Sequence, residues 1–220
     1  MHSKIEGTPS FSRVEIMLSP GEKVTAERGA MQSMAAETDM KAVSNGGFFS
    51  ALGKKFFGGE TFFVNEFTNN TARELKLVIA QEVPGEICKM ELHGGEICLQ
   101  RGAYLAHSGK IKVRTVWAGF ASFFGGEGLV KLKVSGTGTL WFGAYGGIIT
   151  REVTDEIIVD DGFLVAYEPG LKLSITLASG ALTSLFGGEG FVSRLKGRGK
   201  VYIQTRSVKG LASWLNPKFR

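Results

Sequence analysis

The chain has 220 residues, of which 43% are hydrophobic and 21% are charged, and its net charge is +5. A chain of this length and composition can bury a core without disulfides or a structural metal, and the composition argues against disorder. Glycine is frequent, at 31 residues, while only three histidines and two cysteines are present, which argues against a metalloenzyme.

The N-terminal sequence lacks the apolar stretch of a signal peptide, and the chain has no apolar run long enough to span a membrane as a helix. Two cysteines in a chain without a signal peptide suggest a reducing compartment. We therefore expect a cytoplasmic protein without a transmembrane segment.

Alternation of apolar and polar residues predicts β-strands along most of the chain. In chain order, it is found at Phe62–Thr68, Lys131–Val134 and Leu171–Leu177. Helical spacing is weak except in a short stretch at Phe48–Phe57 and in the tail that begins at Val208. Many short strands separated by glycine turns predict an all-β sandwich or barrel.

Three short signatures recur in the same order, three times. The first is seen at Leu18–Gly21, Leu99–Gly102 and Val159–Gly162. The second is a Gly-Gly-Glu motif that ends at Glu60, Glu127 and Glu189. The third is a turn at Asn69–Thr71, Gly136–Gly138 and Gly197–Gly199. Such recurrence predicts internal triplication.

We place the repeats at about 14–82, 85–150 and 151–208, within a single domain of residues 1–220. Residues 209–220 form a C-terminal tail. Because three equivalent units pack well around one axis, we expect a pseudo-threefold arrangement.

Longer elements of the sequence are similar to those of a known family. They include Ile5–Ser10, Glu27–Met31, Gln100–Ala106, Gly126–Leu129, Val159–Gly162 and Gly199–Arg206. Jointly they resemble the Aim-twenty-four-like family, which is named for altered inheritance of mitochondria and has no established function. The resemblance implies short double-stranded β-helix units, like the fold of the tryptophan RNA-binding attenuation protein. It also implies a homo-oligomer without known catalytic residues.

The three glutamates of the Gly-Gly-Glu motif are the sharpest polar feature. If the repeats bring Glu60, Glu127 and Glu189 together near an axis, they could bind a cation. Alternatively, each carboxylate caps its own glycine turn by accepting backbone N–H bonds. We favour capping, and we predict neither a metal nor a cofactor.

A basic segment follows the third motif. Arg194, Lys196, Arg198 and Lys200 alternate with other residues, and no acidic residue follows Glu189. On one continuous strand the four cations would line one face and could bind a phosphate backbone. A turn at Gly197–Gly199 would instead fold this basic segment back on itself.

Apolar residues cluster before each Gly-Gly-Glu motif. The candidates for an interface are Phe48, Phe57, Trp117, Phe120, Phe124 and Phe186. We expect these residues to fill the core or a contact between subunits. If exposed, they would mark a protein partner or a membrane surface.

Motifs for common enzyme chemistry are absent. The sequence has no His-x-His pair, no Gly-x-Ser-x-Gly and no phosphate-binding Gly-x4-Gly-Lys-Ser/Thr. We therefore predict a non-catalytic, oligomeric binding or scaffold protein. The alternatives are an oligomeric RNA binder that uses the basic segment, and an enzyme or small-molecule binder with a pocket between repeats.

Overall fold

The computed structural model describes residues 1–44, 63–117, 130–177 and 191–219, and these ranges are built almost entirely of β-strands. The first strands are β1 (His2–Glu6), β2 (Arg13–Leu18), β3 (Lys23–Glu27), β4 (Met31–Met34), β5 (Asp39–Ser44), β6 (Phe63–Thr68) and β7 (Leu75–Ala80). The middle strands are β8 (Ile87–Gln100), β9 (Tyr104–Ser108), β10 (Lys110–Trp117) and β11 (Val130–Gly143).

The C-terminal strands are β12 (Ile148–Val153), β13 (Glu156–Asp160), β14 (Leu164–Tyr167), β15 (Leu171–Leu177), β16 (Phe191–Gly197) and β17 (Gly199–Gln204). In the part of the chain that the structure describes, an α-helix follows, α1 (Val208–Leu215), and short 3-10 turns lie at 101–103, 161–163 and 216–218. The all-β prediction and the helix in the tail are confirmed. The stretch Phe48–Phe57 lies outside the described residues.

Alternation along β2 shows why these segments form strands. Val14, Ile16 and Leu18 have no exposed surface, while the alternate residues Arg13 and Glu15 are half-buried and form ion pairs with neighbours. Successive side chains of a strand point to opposite faces, so the apolar set packs inward and the charged set reaches solvent.

Within the described ranges, the strands form three antiparallel sheets. The order is β1-β2-β7-β4 in the first sheet and β13-β16-β15 in the smallest. The largest has ten strands, ordered β12-β17-β14-β8-β11-β9-β3-β6-β5, with β10 added on β11. The pairs β3–β9 and β8–β14 connect successive parts of the chain, so one sheet runs through the molecule.

A common pairing scheme is found in three successive segments. In the first, β7 pairs with β2 and β4, and β6 pairs with β3 and β5. In the last, β17 pairs with β12 and β14, and β16 pairs with β13 and β15. In the middle, the long strands β8 and β11 pair along both halves, and β11 also pairs with β9 and β10.

This scheme places the turn Arg28-Gly29-Ala30, which follows β3, in the position of the turns at 101–103 and 161–163. The recurrence in the sequence instead aligns Leu18–Gly21 with those turns. Strand pairing alone does not establish repeated units, so internal triplication and a pseudo-threefold axis stay predictions, as do the repeat boundaries.

Candidate ligand-binding cavity

A cavity of about 880 Å³ opens where these three turns approach one another. Arg28, Gly102 and Gly162 contribute to its wall, one from each turn. Residues at or just beyond the ends of β7, β11 and β17 complete the sides: Gln81, Ala144 and Gln204. The cavity is therefore assembled from three distant parts of the chain.

Helix α1 closes part of the cavity. Its N-cap, Ser207, accepts a hydrogen bond from the backbone N–H of Gly210 at 3.2 Å, which orients the first turn. Val208, Lys209 and Ala212 then line the cavity. No residue of α1 is buried, so the helix lies on the surface of the protein.

The wall around Asp161 contains a buried ion pair. The side chain of Lys131 is fully buried, and its Nζ lies 3.0 Å from Asp161 Oδ1. Lys131 also donates to the side-chain carbonyl of Gln100, and Ser193 Oγ donates to Asp161 at 2.8 Å. Burial lowers the pKa of Lys131, and Asp161 opposes that effect.

Glutamine side chains brace the backbone of the same wall. Gln204 Nε2 donates to the carbonyl of Gly162 at 2.8 Å, and its Oε1 accepts from the backbone N–H of Tyr145 at 2.9 Å. Gln81 Nε2 donates to the carbonyl of Ala144 at 2.8 Å. These bonds connect strand ends to turns and brace this part of the wall.

Two carboxylates, Glu27 and Glu82, lie together in the remaining wall. Burial, and then the nearby charge of Glu82, raise the pKa of Glu27 to about 7, while Arg101 acts in the opposite direction. Near neutral pH both the charged and the protonated form of the Glu27 carboxyl group are therefore populated.

Behind the wall, Tyr104 is paired with a histidine. Tyr104 lines the cavity, and its Oη lies 2.6 Å from His107 Nδ1 and 3.2 Å from the carbonyl oxygen of Thr25. Because a carbonyl only accepts, the bond to Thr25 uses the hydroxyl proton, and His107 Nδ1–H then donates to the tyrosine. Burial lowers the pKa of His107 to about 4, which keeps this pair neutral.

The sequence matches the family model described as Mitochondrial biogenesis AIM24 over residues 3–206. The chain belongs to the AIM24 family. This confirms the resemblance noted from the sequence. A likeness to the tryptophan RNA-binding attenuation protein is not shown and stays a prediction.

Relatives of this AIM24 family member include an uncharacterised protein of Streptococcus pyogenes serotype M6. It is 29% identical over 226 residues, which cover 98% of this chain and 90% of the relative. An X-ray crystal structure of a Streptococcus pyogenes protein has the same fold, with a TM-score of 0.82, 27% identity and 99% of each chain covered. These comparisons establish family and fold, and neither relative has a stated function.

Most residues singled out from the sequence fall outside the described ranges. These are Glu60, Glu127 and Glu189, and the aromatic residues Phe48, Phe57, Phe120, Phe124 and Phe186. Trp117 ends β10, where its backbone pairs with Val130. Turn capping by the three glutamates, favoured over a cation site, and the aromatic interface therefore stay predictions.

The basic segment does not form one strand. Arg194 and Lys196 lie on β16 in the three-stranded sheet, whereas Lys200 lies on β17 in the ten-stranded sheet. Gly197 and Gly199 flank Arg198 with φ of 133° and 153°, and there the chain passes from one sheet to the other. Arg194 also forms an ion pair with Glu156 at 2.8 Å. The four cations therefore do not lie on one continuous strand, which is what a single basic face requires.

The cavity residues were missed by sequence reasoning, although a signal was present. Glu27-Arg28-Gly29-Ala30 and Gln100-Arg101-Gly102-Ala103 are nearly the same four residues, and both enter the wall. Within the described ranges, no group of three metal-ligating side chains is found, and no helix is long and apolar enough to cross a membrane.

Proposed function

We propose that this AIM24 family protein is a non-catalytic binding protein that holds a small molecule in the cavity between its three turns. The observation that carries the proposal is the cavity itself, at about 880 Å³. That is within the usual range for sites that enclose a small ligand. Of the functions considered from the sequence, the small-molecule binder with a pocket between repeats has the most direct structural support.

A binding role is supported over a catalytic one by what the polar wall residues do. Asp161 is held by Lys131 and Ser193, and Gln204 and Gln81 hold backbone groups. These contacts give the cavity a fixed shape, which favours selective binding because little order is lost when a ligand enters.

Gly102 offers a direct test of the cavity. It lines the cavity, yet a Cβ added there meets no atom within 4 Å, so a large side chain can be introduced without a clash at its base. We expect Gly102→Trp to fold and to fill the cavity. Gly95→Trp is the matched control, because Gly95 is equally open but lies on β8 outside the cavity wall.

The measurement is native mass spectrometry of gently purified, untagged protein. We expect the wild type and Gly95→Trp to carry the same additional small-molecule mass, and Gly102→Trp to lose it. Bare protein in all three samples, together with no ligand from a metabolite extract, would contradict the proposal.

We also propose that the protein works as a homo-oligomer. The two ends of the ten-stranded sheet, β5 and β12, expose Met40, Val43 and Ile149 at 41–45% of their surface. Open sheet edges with apolar side chains favour pairing with another chain. In light-scattering measurements, Val43→Glu and Ile149→Glu should lower the subunit number, whereas Phe11→Glu, at an exposed turn, should not.

A further inference from the structure

Helix α1 and the turn after it present large apolar side chains to solvent. Leu211, Trp214 and Phe219 are exposed at 39%, 61% and 81% of their surface. Leu211 and Trp214 are three residues apart, so they lie on the same side of the helix. None of the three lines the cavity, whereas Val208 and Ala212 do. The helix therefore faces the cavity on one side and exposes apolar surface on another.

The same segment is basic. Its charged residues from position 206 onward are all cations: Arg206, Lys209, Lys218 and Arg220. The Nζ of Lys218 lies 4.5 Å from the centre of the Trp214 ring, which places one of these charges directly beside the exposed indole. Within the described ranges, neither Lys209 nor Lys218 forms an ion pair with a carboxylate.

Carboxylates near α1 are found in the cavity wall. Glu82 and Asp160 line the cavity together with Val208 of the helix. Asp160 is already engaged there, since its Oδ1 accepts a hydrogen bond from the backbone N–H of Gly162 at 2.8 Å. The exposed indole of Trp214 lies outside this lining, so its surface combines apolar area with positive charge.

Apolar area flanked by cations complements a partner with an apolar interior and an anionic surface. An anionic lipid bilayer has both features, because aromatic and leucine side chains enter the boundary between headgroups and acyl chains, and lysine attracts the headgroups. A second copy of α1 would bring the same cations and would be repelled. The eight residues of α1 are far fewer than the ~20 that cross a bilayer, so a bound α1 would lie on its surface.

We propose that α1 docks this protein on the surface of an anionic lipid bilayer, with Leu211, Trp214 and Phe219 at the acyl-chain boundary and Lys209 and Lys218 at the headgroups. This interaction goes beyond the proposed function, because it requires neither a ligand in the cavity nor an oligomer. It is peripheral and reversible.

The test is co-sedimentation of the full chain with large unilamellar vesicles. One set contains phosphatidylglycerol and phosphatidylcholine in equal amounts, and the other contains phosphatidylcholine alone. We expect the protein to partition at least about tenfold more strongly onto the anionic vesicles. Raising the salt concentration from about 0.1 M to about 1 M should release most of it. Free glycerol phosphate should not release it, since it offers no apolar phase.

Apolar variants test the side chains that enter the bilayer. Trp214→Ser/Phe219→Ser should weaken binding to anionic vesicles by at least about tenfold, because both side chains lose their burial in lipid. Phe11→Ser/Ile158→Thr is the matched control, because Phe11 and Ile158 are also exposed, at 75% and 54%, but lie outside α1. This control should bind as the wild type does.

Charge variants test the headgroup contacts. Lys209→Gln/Lys218→Gln should weaken binding to anionic vesicles about tenfold and leave the weak binding to phosphatidylcholine unchanged. Lys110→Gln/Lys112→Gln removes the same charge from exposed positions of β10 and should have little effect. Since all four lysines are exposed, each variant should fold, and circular dichroism and melting curves verify this.

Several outcomes would overturn the inference. One is the absence of sedimentation with anionic vesicles at low salt, and another is equal binding to both kinds of vesicle. Binding that is unchanged in Trp214→Ser/Phe219→Ser would assign the lipid contact to another surface. A lower subunit number of that variant in light scattering, without vesicles, would assign α1 to a contact between copies instead. None of these results bears on the cavity, which native mass spectrometry of Gly102→Trp tests separately.

Discussion

Lys131 and Asp161 form a buried ion pair across two parts of the chain that are distant in sequence, with Nζ and Oδ1 3.0 Å apart. Lys131 comes from β11, and Asp161 belongs to the 3-10 turn that forms part of the cavity wall. The pair therefore connects the largest sheet to the wall of the candidate site. A buried charge without its partner is costly, so this contact should control both stability and cavity shape.

We predict that Asp161→Asn lowers the free energy of unfolding by about 3 kcal/mol, because it leaves the charge of Lys131 buried without a counter-ion. The double variant Lys131→Met/Asp161→Asn should recover most of that loss. Urea unfolding measures both.

The matched control uses another lysine of β11. Lys133 pairs with Glu96 at 2.8 Å, but both side chains are partly exposed, at 40% and 33%. Glu96→Gln should cost at most about 1 kcal/mol, as exposed pairs do. Equal losses in Asp161→Asn and Glu96→Gln would show that burial of the first pair has no energetic consequence.

Gly85 permits a close backbone approach beside the cavity. It forms a parallel bridge with Gly146, and a Cβ on Gly85 would lie 1.9 Å from the carbonyl oxygen of Ala144. Since Ala144 lines the cavity, Gly85→Ala must displace the wall. We expect a loss of about 3 kcal/mol, at the upper end of the range for overpacking.

Gly95→Ala is the comparison for Gly85→Ala, because a Cβ there meets nothing within 4 Å. Its stability should stay within about 0.5 kcal/mol of the wild type. A melting temperature of Gly85→Ala equal to that of Gly95→Ala would show that the two backbone segments separate at little cost.

Glu27 should make stability fall as pH rises. Its pKa in the folded protein is about 7, above its ordinary value of 4.5, so between these values the folded state binds a proton that the unfolded state has lost. Raising the pH through this window removes about 2 kcal/mol of stability, allowing for partial exposure of the side chain. In Glu27→Gln this contribution should be absent from urea unfolding measured between pH 4.5 and 8.

His107 should act in the opposite direction. Its pKa in the folded protein is about 4, below its ordinary value of 6.5, so the unfolded state binds more protons in this window. The contribution of His107 to the free energy of unfolding is complete above pH 6.5. It falls by about 3 kcal/mol as the pH drops through 4. His107→Gln should flatten this acid limb, whereas His93→Gln, at an exposed position, should leave it unchanged.

The windows of Glu27 and His107 overlap, so each substitution also isolates the other group. In His107→Gln, the decrease caused by Glu27 should appear alone between pH 4.5 and 7. If Glu27→Gln and His107→Gln both leave the pH dependence of the free energy of unfolding unchanged, the shifted pKa values of Glu27 and His107 are both contradicted.

Several features could be predicted from the sequence because they depend on neighbouring residues. Alternation in Leu171–Leu177 determines β15, and helical spacing after Val208 determines α1. The joint motifs, such as Gln100–Ala106, were sufficient to indicate the AIM24 family, which the match over residues 3–206 confirms. Each of these inferences needs only the order of residues within a short window.

The basic segment shows where such local reasoning ends. Arg194 to Lys200 has the alternation of one strand, but the positive φ of Gly197 and Gly199 divides it between two sheets. A glycine permits this conformation without requiring it, and the partners β13, β15, β12 and β14 decide between the alternatives. Those partners are distant in sequence, so the local pattern contains no information about them.

By itself, the sequence determined the strand-rich class, the tail helix and the family of this protein, because side-chain periodicity and turn residues act locally. Only the tertiary structure decided that Glu27, Gly102 and Asp161 share one cavity. Their convergence depends on pairings such as β3–β9 and β8–β14, which connect residues that are far apart in the chain. The raised pKa of Glu27 follows from that convergence, since burial and the charge of Glu82 exist only in the folded protein.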